Sequence, residues 1–315
     1  MRKKPVSFEV TPYAQVPFCI LFLLLGMLLP ETIGAESFRD ALGREVSLVR
    51  VPQRIIALAP SVTETLFSLG LGDRVVGVTE FSDHLPEAAS KPKVGSFIHL
   101  NVEKIIDLKP DLVIASADRY RPGLLELLDQ AGVKAYVVNP KNLLQVIECV
   151  RGIGRLCGVS ETADALAMKL TSRLERVVEK TKGRRKPLVL FQINIKPIMT
   201  VNRETLHHDL IRLAGGENLF GDEPLTYPRI SVEEVIRRGP EVIIISSMER
   251  GGHFDEARQE WFRWKSIPAV RDGRVFLIDS DTTDRPSPRA FVGLERMARL
   301  LHPEAVWEVE KRTAE

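Results

Sequence analysis

The chain has 315 residues, 44% hydrophobic and 27% charged, which is enough for one large or two medium globular domains. Its formal net charge of +2 is close to neutral, so a polyanion-binding surface, and with it a nucleic-acid partner, is a poor expectation.

Residues 1–35 read as an export signal. Arg2, Lys3 and Lys4 give a positive start, Phe18 to Leu29 is apolar apart from Gly26, and Ile33-Gly34-Ala35 offers small residues to a signal peptidase. The apolar run is about a dozen residues, short for a membrane span, so cleavage ahead of Glu36 is expected and an uncleaved anchor is the alternative. Cys19 opens the run instead of closing it, which is not a lipoprotein arrangement. Cys149 and Cys157 remain, about 12 Å apart along one expected helix, beyond disulfide reach unless that helix breaks at Gly152 or Gly154.

Short apolar strands then alternate with helices. Ile55–Leu58 is followed by a helix running to Gly70, in which Ser61 and Glu64 fit a capping box. Val75–Val78, Leu112–Ala115 and Ala135–Val138 are further strands. The pattern predicts a parallel sheet covered on both faces. A long amphipathic stretch follows, begun by Ser160 as its cap, with Ala163, Leu166, Ala167, Leu170, Leu174, Val177 and Val178 at helical spacing and Gly183 as its stop. At about 22 residues it would span roughly 33 Å. Leu188–Ile193, Val242–Ile245 and Val275–Ile278 are the strands beyond it.

The two halves repeat each other. Asn101-Val-Glu-Lys-Ile-Ile-Asp-Leu-Lys-Pro-Asp-Leu-Val-Ile-Ala-Ser116 aligns without gaps on Ser231-Val-Glu-Glu-Val-Ile-Arg-Arg-Gly-Pro-Glu-Val-Ile-Ile-Ile-Ser246. Asn101 and Ser231 are N-caps, and Pro110 and Pro240 stop the helices. A weaker echo sets Leu69–Gly77 against Leu213–Gly221. The expected organisation is a signal peptide over 1–35, an N-terminal lobe over 36–159, a linker helix over 160–183 and a C-terminal lobe over 184–315.

Several catalytic and cofactor signatures fail. Gly152, Gly154 and Gly158 are wrongly spaced for a dinucleotide loop and follow a helix instead of a strand. No G-x-S-x-G, H-E-x-x-H or Walker pattern occurs. His84, His99, His207, His208, His253 and His302 are dispersed and read as surface or loop residues, so no metal site is assigned. The loops after parallel strands gather where open α/β folds bind ligands. Here these are Phe81–Pro86, Thr226–Pro228 and Ser280–Arg289, the last of which also reads as a solvated loop with Ser287-Pro288 opening the final helix.

Arg54-Ile-Ile-Ala-Leu-Ala-Pro-Ser61 with Thr63-Glu64, Val76-Gly-Val78 with Ser82-Asp83, Asn101-Val-Glu103 with Lys109-Pro-Asp-Leu-Val-Ile114, Gly215-Gly-Glu-Asn218, Ser231-Val-Glu233 and Ser287-Pro-Arg289 occur in an order and spacing that carry a resemblance. The chain resembles the periplasmic cobalamin-binding proteins and their iron–siderophore relatives, the helix-linked class of substrate-binding proteins, from about residue 38 to 300. That resemblance implies an α/β fold of two Rossmann-like lobes with parallel sheets, joined by a single long α-helix. It implies a monomer in the periplasm that uses no cofactor, captures a corrinoid between its lobes and hands it to an ABC permease dimer with a cytoplasmic ATPase. Phe81, Phe97 and Tyr227 match aromatic cleft positions, His84 stands where a tyrosine is expected, and Asp281 and Arg285 match polar residues near the ligand's amide side chains. Glu103 and Glu233, at the same place in each repeat, would dock the lobes onto the permease; a first-turn glutamate also stabilises its own helix. The alternative cargo is an iron–siderophore complex or a haem, to which Arg119, Arg121, Arg203 and Arg285 would offer cationic groups. A third reading is an extracytoplasmic enzyme, for which no nucleophile–base pair or metal triad is found.

Overall fold

Residues 36–82, 85–96, 99–117, 122–246 and 254–307 are described by the computed structural model. The expected export signal lies outside them. The chain opens with a hairpin that the sequence reading missed, β1 (Glu36–Arg39) paired antiparallel with β2 (Glu45–Leu48). Buried Asp40 organises its turn. One carboxylate oxygen accepts the Leu42 and Arg44 backbone N–H groups, and the other accepts the Arg44 guanidinium at 2.6 Å and the Val137 N–H. The hairpin therefore covers one edge of the first sheet.

That sheet is parallel, with β3 (Ile55–Ala57), β4 (Val75–Val78), β5 (Leu112–Ser116) and β6 (Lys134–Val138) in the order β4-β3-β5-β6. Its helices are α1 (Pro60–Ser68), α2 (Pro86–Ala89), α3 (Val102–Asp107), α4 (Pro122–Gln130) and α5 (Leu143–Leu156). The long connector is α6 (Ser160–Thr181). Beyond it come β7 (Leu188–Gln192), α7 (Leu206–Leu213), β8 (Glu217–Asn218), α8 (Val232–Arg238), β9 (Val242–Ile245), α9 (Phe254–Trp261), α10 (Pro268–Arg271) and β10 (Val275–Leu277). The chain then runs through α11 (Ser280–Thr283) into α12 (Ala290–Leu301). The second sheet is parallel in the order β10-β9-β7-β8. Reversing this list gives β8-β7-β9-β10, the strand order of the first lobe, so the structure is α/β with two lobes of one plan.

The repeat read from the sequence acts at atomic level. Asn101 and Ser231 accept the Lys104 and Glu234 backbone N–H groups as N-caps of α3 and α8. The acid after each proline then anchors its lobe's first strand. Asp111 accepts the Gln53 and Arg54 N–H groups and pairs with Arg50; Glu241 accepts the Leu188 N–H and pairs with Arg185. Burial works against both charges, but these hydrogen bonds outweigh it and hold both carboxyls below their usual range.

Three local readings need correction. Ser61 and Glu64 form no capping box: the N-cap of α1 is Ala59, no side chain caps it, and Glu64 is spent elsewhere. Ser160 is the first residue of α6, whose N-cap is Val159. The weaker echo is one residue out of register, because the left-handed glycines that follow α1 and α7 are Gly70 and Gly215. The helix α5 does not break at its glycines. A methyl at Gly154 would approach the Ala163 methyl to 2.1 Å, so this glycine lets α5 and α6 pack closely. Cys149 and Cys157 are free thiols, both pushed up to about 12 by burial.

The lobes share one interior. A single cluster of buried apolar side chains runs from Ile55, Leu66 and Val150 through Ala163, Ala167 and Leu170 of α6 to Phe191, Leu210 and Phe291. Each sheet keeps a separate cluster on its outer face, around Ile56 and Leu128 in one and Ile243 and Trp261 in the other. The inner helices are therefore a common layer between two sheets.

Candidate ligand cleft

In each lobe the segments that follow the carboxyl ends of the strands carry the residues singled out above. Phe81 lies in a short turn directly after β4 and is 45% exposed, and Tyr227, between β8 and α8, is 50% exposed. Backbone bonds from Thr200 to Pro228 and from Asn202 to Thr226, both 3.0 Å, hold the Tyr227 segment. Leu225 beside Tyr227 adds apolar surface. His84 and Phe97 lie outside the described residues, as do Arg119 and Arg121. Arg203 pairs with Asp222.

Asp281 sits on α11 and Arg285 just after it, so the segment read as a loop is partly helical. The Arg285 guanidinium is 14% exposed and already well coordinated. It meets Glu64 Oε1 at 2.9 Å, Asp281 Oδ1 at 2.7 Å and the Phe81 carbonyl at 3.5 Å. The structure thus brings Phe81 of the N-terminal lobe together with Asp281 and Arg285 of the C-terminal lobe, whereas Tyr227, also in the C-terminal lobe, lies on a separate segment. Glu64, 1% exposed, is the residue the sequence reading missed. It also accepts the Ser287 hydroxyl and lies 3.8 Å from an Arg289 nitrogen. A buried carboxylate is tolerable because cations and a hydroxyl surround it.

Beneath this segment Asp284 turns into the C-terminal lobe. One of its oxygens accepts Ser246 at 2.8 Å and Thr283 at 2.9 Å and meets His207 Nε2 at 3.2 Å. His207 packs against the Phe191 ring at 4.9 Å. His302 is buried as well and contacts the Gly215 carbonyl at 3.1 Å. These two histidines are interior residues, not the surface or loop residues expected, because each has a fixed polar partner. Half-buried His208 is kept below its ordinary value by burial, helped by the Arg212 charge. His84 and His253 are not described. Among the described residues no group of three or more His, Cys, Asp or Glu side chains converges as a metal site would. Ser246 and His207 meet the same carboxylate oxygen, so this cluster lacks the serine-to-histidine contact that nucleophile activation requires.

The pair expected to dock a partner is exposed in both lobes. Glu103 and Glu233 occupy the second turn positions of α3 and α8, and neither pairs with a cation among the described residues. Hydrogen bonds from its own N–H and from Ser231 hold the Glu233 carboxyl below its usual range. Neighbouring Glu234 is engaged by Arg237 and Arg238, which hold it at about 2. A separate groove between β2 and α4, lined by Arg44, Glu45, Leu125 and Lys134, opens at the opposite end of the N-terminal sheet.

Comparison with known proteins fits this geometry. The sequence profile described as "Periplasmic binding protein" matches residues 55–282. The chain is 33% identical over 255 residues to the vitamin B12-binding protein of Vibrio vulnificus (strain CMCP6), covering 80% of this chain and 91% of that one. The crystal structure of the periplasmic vitamin B12-binding protein of Vibrio cholerae superposes with a TM-score of 0.72 at 31% identity, covering 80% and 98% of the two chains. A periplasmic heme-binding protein from Pseudomonas aeruginosa superposes equally well, TM-score 0.72, at 27% identity over 81% of this chain and 94% of that one.

Proposed function

Because the chain belongs to the periplasmic binding protein family, we propose that it captures a corrinoid between its lobes and delivers it to an ABC permease dimer. The observation that carries this reading is the half-exposed Phe81 ring beside the polar Asp281–Arg285 corner, with a second half-exposed ring, Tyr227, in the C-terminal lobe. Flat, apolar faces of a corrin ring would cover the aromatics, and its amide side chains would find Asp281 and the backbone around Arg285. His84 and Phe97 complete the proposed lining. Likeness to the two vitamin B12-binding proteins of Vibrio supports this cargo over the alternatives. In this reading the protein is a monomer, performs no chemistry on its cargo and needs no cofactor. Residues 1–35 would be removed on export to the periplasm. Glu103 and Glu233 would meet equivalent basic pockets on the two permease subunits, a two-fold partner for a pseudo-two-fold pair.

Titration of purified protein with cyanocobalamin, followed by calorimetry and absorbance, tests the cargo. A saturable one-to-one heat is expected. Absence of any heat, with a saturable spectral change on adding haemin instead, would overturn the corrinoid reading in favour of the haem alternative, which the heme-binding relative motivates.

A further inference from the structure

Helices α1 and α7 hold equivalent places in the two lobes. Each follows its lobe's first strand, and each ends in a left-handed glycine, Gly70 at φ 72° and Gly215 at φ 80°. Counting back from these glycines places Glu64 on Asp209, and both are buried. Each carboxylate leaves its own lobe and reaches the start of the other lobe's last helix. Glu64 meets Arg285 Nη1 at 2.9 Å and the Ser287 hydroxyl, just ahead of α12. Asp209 accepts the backbone N–H of Leu143, the first residue of α5, at 2.9 Å. The helices α5 and α12 are equivalents too, each following its lobe's fourth strand. The two contacts are therefore equivalently placed and run in opposite directions across a pseudo-two-fold axis, with side-chain donors meeting Glu64 and a backbone N–H meeting Asp209.

We propose that Glu64 and Asp209 form a reciprocal pair of clasps that fixes the separation of the two lobes, and hence the width of the cleft, whatever the cleft carries. The physics favours a fixed position over a range of positions. A buried carboxylate loses its cross-lobe compensation if the donor opposite slides by even an ångström or two, because hydrogen bonds weaken steeply with distance and angle; Asp209 keeps Arg212 of its own helix at 2.8 Å, so its contact is the weaker of the two constraints. Two such contacts related by a pseudo-two-fold axis oppose both rotation and shear. Asp209 sits at the start of α5, where a backbone donor and the positive end of the helix dipole favour an acceptor, while Glu64 is held by the Arg285 and Ser287 side chains ahead of α12. The connector α6 is a second constraint: Arg173 ties it to Glu295 of α12 at 2.7 Å. On the N-terminal side the clasp has a further effect, since Glu64 orients the Arg285 guanidinium. Glu64 is thus a positioning residue for that corner.

Spin labels at introduced cysteines, Lys104→Cys on α3 and Arg237→Cys on α8, report the spacing across the molecule by pulsed electron resonance. The native thiols, half-buried Cys149 and buried Cys157, are both pushed up to about 12 and should take up label far more slowly. The intact protein should give one narrow distance distribution. The near-isosteric double variant Glu64→Gln/Asp209→Asn, with α6 unaltered, should widen it at least twofold, and each single variant should give an intermediate width. A double variant as narrow as the parent overturns the proposal and leaves the connector and the shared apolar interior as the determinants. Should the double variant fail to fold, amide exchange in the unaltered protein decides. The Leu143 amide should exchange at least a hundredfold more slowly than an exposed amide, and exchange at the unprotected rate overturns the clasp.

Discussion

At the corner before its third strand the N-terminal lobe sets Lys109 at φ 47°, and the C-terminal lobe sets Gly239 at φ 60°. The backbone does the same thing twice, once with the residue suited to it and once without. The neighbouring acid does the same thing twice as well: Asp111 and Glu241 differ by one methylene, yet both reach N–H groups at the start of a sheet strand, Gln53 and Arg54 just ahead of β3 and Leu188 opening β7. Away from this corner the lobes part company. The second strand has four residues in β4 but two in β8, and the segments beyond carry Phe81 and α2 in one lobe and Tyr227 in the other. The shared features hold the sheets together, while the divergence lies at the carboxyl ends of the strands, where a ligand would be met. Scaffold and site can thus be separated within one molecule, by using each lobe as the control for the other.

The largest expected effect tests whether the lobes are equal partners in docking. Changing Glu103 and Glu233 together to Lys should reduce cargo import in a reconstituted transporter to the level seen without binding protein, with cargo affinity held within about twofold; each single change should lose an intermediate share. Normal import by the double variant would leave the two glutamates as helix-terminal charges only. Next come the rings. Phe81→Ala and Tyr227→Ala should each weaken cobalamin binding by about 1–3 kcal/mol in calorimetry. A loss confined to one of them would mean that one lobe carries the cargo alone.

The anchoring acids predict a smaller effect with a defined pH dependence. Both carboxyls are held below their ordinary range in the folded protein, so the native state binds fewer protons than the unfolded chain. Their contribution is fully present above the unfolded value near 4, and it is lost as pH falls through the lower folded value. Asp111→Asn and Glu241→Gln should each cost about 1–2 kcal/mol at pH 7 in urea unfolding, mostly through the backbone N–H bonds, since the partner arginines are exposed. The gap between parent and variants should narrow below about pH 4. The smallest effect is at the corner itself. Gly239→Ala should destabilise by about 1 kcal/mol, whereas Lys109→Gly should change stability by about 0.5 kcal/mol or less, strain relief being offset by the freer unfolded chain. Equal losses at both positions would show that the two corners are not alternatives to one another.

Much of this scaffold was legible in the sequence because it is local. Caps, helix stops and apolar strands obey spacing rules that operate within a few residues, so the aligned segments over 101–116 and 231–246 announced both lobes. Glu64 shows where such reading fails. Ser61 and Glu64 satisfy a local pattern, yet the carboxylate's partners are 221 and 223 residues away, and no local rule can see them. His207 is similar: its spacing gave no metal motif, and only the fold brings Asp284 and Phe191 to its ring. The hairpin at residues 36–48 was missed because each strand has only four residues and Asp40, not an apolar alternation, determines its turn. The aromatic positions came from family resemblance, since half-exposed rings such as Phe81 and Tyr227 leave no periodic signal.

The interior shared by both lobes has a consequence in time. The chain is made from its N-terminus, so β3 to β6 and α1 to α5 exist before α7 and α12 do. Until those helices arrive, the inner face around Leu66, Val150 and Ile153 has only part of its cover. The first lobe by itself would therefore present an apolar inner face that the folded protein covers with α7 and α12. A fragment ending at Thr181 would leave that face without the cover of α7 and α12, and should associate in analytical ultracentrifugation where the whole chain does not.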